Sequence, residues 1–293
     1  MIKKLAITGG THGNEYTGVY LVKKWKLKPE LITRSNFETI CLHTNEQAIK
    51  EVRRYIDHDL NRSFGSVDLK NETLETHEAK LAKHLNAHLG PKGSEETNVD
   101  FIVDLHTTTA NMGLSIVVSN DSVLTWKAIA YLCQVEPLLR VYRWQGDEEG
   151  SFVDSMSPHG FAIEVGAVPQ GVLRADLFLQ TEALIYHLLD FFEKYNNSET
   201  FTFSNRLEIY DHEILVDYPR DKEGDITAMV HQERQDKDFL ALKTGDPLFL
   251  TLSGDVFRYE GETLYALFIN EAAYYEKGFA MCLARKKYIT IET

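Results

Sequence analysis

The chain has 293 residues, 43% of them hydrophobic and 11% aromatic, which is enough for one large domain or a large domain with a smaller one, and too apolar for a disordered chain. Its 44 acidic and 31 basic residues leave a formal charge of −13, which repels phosphate backbones and argues against nucleic acid as a partner. The three cysteines, Cys41, Cys133 and Cys282, are scattered and odd in number, so no disulfide framework or cysteine zinc knuckle is expected, and a reduced, cytoplasmic setting is the simplest reading. The apolar run after Lys3 and Lys4 is cut at Thr8-Gly9-Gly10, too early for a signal peptide, and no run is long enough to span a bilayer, so no membrane partner is expected.

In chain order, residues 4–8 read as a buried strand entering the glycine-rich loop Gly9-Gly10-Thr11-His12-Gly13-Asn14-Glu15. Residues 15–26 read as a helix with Tyr16, Val19, Tyr20 and Val22 as its inner face. A strand at 37–43 leads to a Thr44-Asn45 cap and a helix over 46–55, then a loop over 59–65. Residues 73–89 are helical, with a solvated outer face rich in His, Glu and Lys, and 90–98 are a polar loop. Strands follow at 101–106 and 114–119, a helix at 124–133, a strand at 162–165 and a long helix at 174–194. Alternation of strands and helices predicts an α/β fold with a mixed, mainly parallel sheet flanked by helices, and places candidate site residues at strand ends. At Tyr195-Asn196-Asn197-Ser198-Glu199-Thr200 the composition changes. Helical periodicity then gives way to short apolar stretches separated by turn signals such as Thr244-Gly245-Asp246-Pro247. The predicted organisation is a catalytic domain over 1–200 and a smaller β-rich domain over 201–293.

The chemistry sits at those strand ends. His12 and Glu15 pair an imidazole nitrogen with a carboxylate oxygen, both good zinc ligands, and a catalytic zinc needs a third protein ligand plus an open position. His106, at the end of Phe101-Ile102-Val103-Asp104-Leu105-His106, is the candidate third ligand, with Asp104 placed to support it. The bland alternatives are a helix start at Glu15 and a buried histidine satisfied by Thr107 or Thr108. His77, His84 and His88 share one helix; a solvated face fits them better than a surface metal site. Glu164 interrupts an apolar strand and must be paired, metal-bound or functional; the readings are a salt bridge with Arg174 or a lysine, or a base beside a zinc-activated water. Asn61 and Arg62, in Asp57-His58-Asp59-Leu60-Asn61-Arg62, suit carboxylate recognition, though spacing alone leaves a solvated loop equally open.

Six ordered motifs, GGTHGNE, DHDLNR, DLHTTTANMG, IEVGAVPQGVLRAD, VDYPRD and NEAAYYEKG, run from residue 9 to 278. With them the chain resembles the aspartoacylase and aminoacylase branch of the zinc carboxypeptidase-like amidohydrolases, whose relatives include succinylglutamate desuccinylases. The resemblance implies a zinc-carboxypeptidase-like catalytic domain, a β-rich C-terminal domain that shapes the active-site channel, and one zinc ion bound by His12, Glu15 and His106. It implies Glu164 as general base and then acid, Arg54 as the group that polarises the scissile carbonyl, and Asn61 and Arg62 as the grip on the substrate α-carboxylate. Tyr274 would reach the substrate from the C-terminal domain, and Glu271 would support that domain's structure. The implied reaction is hydrolysis of a small-molecule N-acyl, above all N-acetyl, L-amino acid to a carboxylate and a free amino acid. A homo-oligomer such as a dimer stays open.

The chain departs from the aspartoacylase pattern in one place. The family's aspartate-specific members carry an arginine ten residues before the base to grip the side-chain carboxylate. Here Asp154 stands there, downstream of the acidic run Gly146-Asp147-Glu148-Glu149-Gly150. Asp154-Ser155 is more similar to sister aminoacylases that prefer N-acetylated aromatic or other bulky amino acids. An aminoacylase of that preference is therefore the alternative, unless Arg143 folds back to replace the missing charge. A metallocarboxypeptidase would share the ligands but needs an open cleft; a binding protein without activity is disfavoured by the presence of all the ligands and the base.

Overall fold

Residues 1–146, 150–201 and 203–291 are described by a computed structural model. The acidic run's Asp147, Glu148 and Glu149 lie outside the described residues. The elements of the first part are β1 (Lys4–Gly9), α1 (Tyr16–Leu27), β2 (Glu38–His43), α2 (Glu46–Glu51), α3 (Ser66–Lys70), α4 (His77–Leu89), β3 (Phe101–Thr107), β4 (Gly113–Val118), α5 (Val123–Val135), β5 (Arg140–Arg143), β6 (Gly160–Gly166) and α6 (Ala175–Asn196). The rest is strand: β7 (Arg206–Val216), β8 (Ala228–Val230), β9 (Ala241–Leu242), β10 (Pro247–Thr251), β11 (Val256–Arg258), β12 (Leu264–Leu267) and β13 (Met281–Thr290).

Among the described residues, ten strands form one sheet in the order β2-β1-β3-β6-β4-β5-β7-β13-β12-β9, and β11-β10-β8 form a second. Strands β2, β1, β3 and β6 are mutually parallel, β4 runs against β6, and β7, β13, β12 and β9 are antiparallel. Strand alternation sends Leu5 and Ile7 of β1 into the main core with Phe101, Val103, Phe161 and Ile163, covered by Leu21 and Trp25 of α1 and by Leu188, Phe191 and Phe192 of α6. Ala6 and Ile102 face the other side, where Leu60, Phe64, Leu85 and Leu89 cover them. Both faces of the central strands are dry, which is why these segments read as continuous apolar runs.

The differences from the sequence reading have local causes. The inner face of α1 holds Val19 and Val22 as expected, but Leu21 and Trp25 complete it and Tyr20 is exposed. Asn45 caps α2 by accepting from the Ala48 amide at 3.1 Å, yet the helix stops at Glu51 because Val52 turns left-handed at φ 54°. Helix α4 begins at His77, and Glu78 on it is buried rather than solvated. Its carboxylate accepts from the amides of Ile56, Asp57 and His58 at 2.7, 2.9 and 3.2 Å, so it folds the loop that carries the DHDLNR motif. Strand β5 had no clear sequence signal; it joins the two parts of the chain by pairing with β7, Tyr142 opposite Tyr210 and Arg143 opposite Asp211. No helix of the described residues is long and apolar enough to cross a membrane.

Candidate active site

Three neighbouring parallel strands end together, and each delivers one motif. Strand β1 runs into the loop of His12 and Glu15, β3 carries His106 one residue before its end, and β6 carries Glu164 directly beside His106 in register. The first loop depends on glycine twice. Gly10 adopts φ 76°, and a Cβ on Gly13 would lie 2.1 Å from the Ala48 carbonyl carbon, so the loop packs backbone to backbone against α2. Glu15 stands at the start of α1 but makes no capping bond there. Its carboxylate turns inward, to His12 Nδ1 at 2.7 Å, His106 Nδ1 at 2.9 Å and the Thr107 amide at 3.0 Å.

The two imidazoles are held from behind by carboxylates. His12 Nε2 lies 2.9 Å from Asp59 Oδ1, and His106 Nε2 lies 2.7 Å from Asp104 Oδ2. Asp104 also accepts from Thr8 Oγ1 at 2.7 Å and Thr11 Oγ1 at 2.8 Å, which fits the supporting role expected of it. Each carboxylate accepts from the Nε2 of its ring, which fixes the ring and turns its Nδ1 toward Glu15. The two Nδ1 atoms are 3.2 Å apart and both face Glu15. Without a metal, ring protons hold the two Nδ1 atoms to Glu15, and a cation among the three groups would take the place of those protons. Two imidazoles backed by carboxylates, with a third carboxylate beside them, is a donor set suited to zinc. The ligand atoms of His12, Glu15 and His106 all lie within 4.8 Å of one another, and no other such group occurs among the described residues. His77, His84 and His88 do not converge; His77 Nε2 bonds Asn45 Oδ1 at 3.2 Å.

The charges respond as this geometry requires. Burial opposes the His106 imidazolium, but Asp104 and Glu15 outweigh it and hold the ring well above the usual histidine range. Burial likewise works against ionised Asp59, yet His12, Arg54 and Lys277 keep it well below the carboxylate range. Glu164 behaves oppositely: burial pushes its carboxyl up to about 8, with Glu15 and Glu271 adding to the rise against His106 and Arg54. Arg174 pairs with Asp176 at 2.8 Å, so it is not the partner of Glu164.

A cavity beside these ligands is lined by His12, Arg54, Asn61, Arg62, Asp154, Glu164 and Tyr274, so the candidate residues converge on one space. Its remaining wall is largely apolar: Val117, Tyr142, Trp144, Phe152, Ala162, Phe268, Phe279 and Cys282. A roomier cleft lined by Met1, Phe191, Tyr195 and Phe201 holds none of the motif side chains. Arg54 Nη1 donates to Glu15 Oε1 at 2.9 Å and Nη2 approaches Asp59 Oδ2 at 3.4 Å. Asn61 Oδ1 accepts from the Val153 amide at 2.9 Å, and the Arg62 guanidinium lies 4.9 Å over the Phe152 ring. Asp154 is buried in the wall; burial pushes its carboxyl up to about 7, and Asp104 adds to the rise. Arg143 does not fold back. Asp211 grips it at 2.6 and 3.1 Å, and it lines a different, outer groove. Glu271 spans the two parts of the chain, accepting from the Thr109 amide at 2.7 Å and the Ala110 amide at 3.1 Å, the structural role expected of it.

Asp59, the support of His12, carries no sequence signal of its own, although it stands two residues before Asn61 in the DHDLNR motif. The aromatic wall carries none either, because its residues come from segments far apart in the chain and share no spacing.

Comparison with known proteins agrees with this architecture. The model of the succinylglutamate desuccinylase/aspartoacylase catalytic domain matches residues 1–192, and that of the AstE/AspA barrel-sandwich hybrid domain matches 205–286. A protein of Trichodesmium erythraeum named "Probable aspartoacylase" is 49% identical over 99% of both chains. The human N-acyl-aromatic-L-amino acid amidohydrolase (carboxylate-forming) is 40% identical over 99% of this chain and 92% of its own. The crystal structure of murine aminoacylase 3 superposes with a TM-score of 0.93 at 38% identity, covering 99% of this chain and 97% of that one. With a catalytic model matched over most of its length and such relatives end to end, the chain belongs to the succinylglutamate desuccinylase/aspartoacylase family.

Proposed function

We propose that this protein is a zinc-dependent amidohydrolase that takes N-acylated aromatic or neutral L-amino acids in preference to N-acetyl-aspartate. It is a hydrolase of the amide bond in N-acyl amino acids, as the family and the names of its relatives indicate. Those names divide on the side chain, one an aspartoacylase and the other specific for aromatic residues. The observation that carries the preference is the cavity wall: Trp144, Phe152, Phe268 and Phe279 with a buried Asp154, while Arg143 is held elsewhere.

His12, Glu15 and His106 would hold the zinc, which when bound would supply Lewis acidity and bring the pKa of a water toward ~7. Glu164 takes the proton of the attacking water, and its raised pKa suits it to return that proton to the leaving amine. Arg54 donates to the carbonyl oxygen as negative charge develops there. Asn61 and Arg62 hold the α-carboxylate. Tyr274 closes the cavity from the C-terminal part; together with Phe268 and Phe279 it narrows the space that a metallocarboxypeptidase would leave open for a peptide.

A panel of N-acetyl-tyrosine, N-acetyl-aspartate, N-acetyl-glutamate, N-succinyl-glutamate and a dipeptide tests the reading. An aspartate side chain would be buried unpaired beside Asp154, at a cost of several kcal/mol per ion. The kcat/KM for N-acetyl-tyrosine should therefore exceed that for N-acetyl-aspartate by at least about tenfold. Asp154→Asn should narrow the gap by improving the aspartate substrate. A higher kcat/KM for N-acetyl-aspartate overturns the preference and leaves the hydrolase activity standing.

The α-carboxylate grip is tested separately. Hydrogen bonds to a charged group contribute ~1.5–3 kcal/mol. Capping the carboxylate of a good substrate as an amide should thus lower kcat/KM by about tenfold to a hundredfold. Equal turnover of acid and amide would remove Asn61 and Arg62 from that role.

A further inference from the structure

The carboxylate behind His12 does not stand on its own strand, as Asp104 does for His106. Asp59 lies on a loop, and its two oxygens are used differently. Oδ1 serves His12 Nε2 at 2.9 Å and the Asn61 amide at 2.9 Å. Oδ2 faces Lys277 Nζ at 2.7 Å, while Arg54 Nη2 is more distant at 3.4 Å. A carboxylate anchored through one oxygen can still rotate its plane, and a charge-assisted bond to the second oxygen stops that rotation. Lys277 makes this bond from 218 residues away, with Asp59 buried and the lysine side chain only 20% exposed. The same short segment delivers Tyr274 to the cavity.

We infer that Lys277 is a positioning residue for the metal centre: it fixes Asp59, which fixes the His12 ring, so the C-terminal part of the chain sets the affinity of the zinc site. The inference rests on the zinc reading above. It separates Lys277 from its neighbour Glu276, which accepts from Tyr55 Oη at 2.7 Å and ties the same segment to the same loop without touching Asp59 or His12.

The test is a zinc dissociation constant, measured on the full chain by competition with a chromogenic chelator. Loss of a partner that orients a metal ligand typically weakens metal binding ~10–100-fold. Lys277→Met should fall in that range, Lys277→Gln should match it, Lys277→Arg should restore most of the affinity, and Glu276→Gln should leave it unchanged. In saturating zinc, Lys277→Met should regain most of its turnover. Unchanged affinity in both neutral variants overturns the inference, as does an equal loss in Glu276→Gln, which would mean that any loosening of the segment has the same effect. A wild-type protein that binds no zinc would instead overturn the metal reading itself.

Discussion

Replacing Glu164 with glutamine is expected to lower kcat by about 10²–10⁴-fold, the range typical of losing a general base. The amide keeps the size of the side chain and its place beside His106 in β6, so the fold and metal content should be preserved. What it removes is the capacity to take and return a proton, in a carboxyl that burial has already brought to about 8. The measurement is a pre-steady-state or steady-state rate on the best substrate of the panel, with zinc quantified in the same sample. Wild-type turnover in Glu164→Gln would mean that the buried carboxylate does no chemistry.

The second large effect is expected at His106. His106→Ala removes one Nδ1 from the convergent set and leaves Asp104 with Thr8 and Thr11 as its side-chain hydrogen-bond partners among the described residues. A lost ligand should weaken zinc binding beyond the ~10–100-fold typical of an outer partner. Elemental analysis after dialysis should then show far less than one zinc per chain, where the wild type holds close to one, and activity should fall in step. A buried Asp104 that has lost its imidazole partner would also cost stability, by ~1–3 kcal/mol, visible as a lower melting temperature in the metal-free form. Full metal content together with full activity in His106→Ala would refute the assignment of the ligand.

These two residues were readable in the sequence because their chemistry conflicts with their surroundings. A glutamate inside Phe161-Ala162-Ile163-Glu164-Val165 and a histidine closing an apolar strand are costly to bury without a purpose, so they announce themselves. His12 and Glu15 announce themselves through the glycines that let the loop lie against α2. The mainly parallel sheet was readable from alternating strand and helix patterns. Residues that act through tertiary contact were not. Glu78 looks like any polar residue on a helix until the loop it folds is in place. Lys277 sits in a charged stretch and meets Asp59 only because β13 returns the chain to the sheet. Trp144 and Phe279 look like ordinary core aromatics and become a cavity wall only when β5 and the segment before β13 converge.

The junction between β5 and β7 bears on how the protein can be produced and recombined. Strand β5 is four residues long and relies on β7 for one of its two neighbours. A chain ended at residue 200 would present the unpaired edge of β5 to solvent, together with the Thr109 and Ala110 amides that Glu271 now satisfies. Such an edge is a template for strand addition by another molecule. The truncated form should accumulate as insoluble aggregate rather than as a soluble, weakly active core. A chimaera carrying the C-terminal part of a relative faces a stricter demand. It must match the pairing of Tyr142 with Tyr210, because a slip of one residue would point Asp211 away from Arg143 and turn the strand's apolar side chains outward.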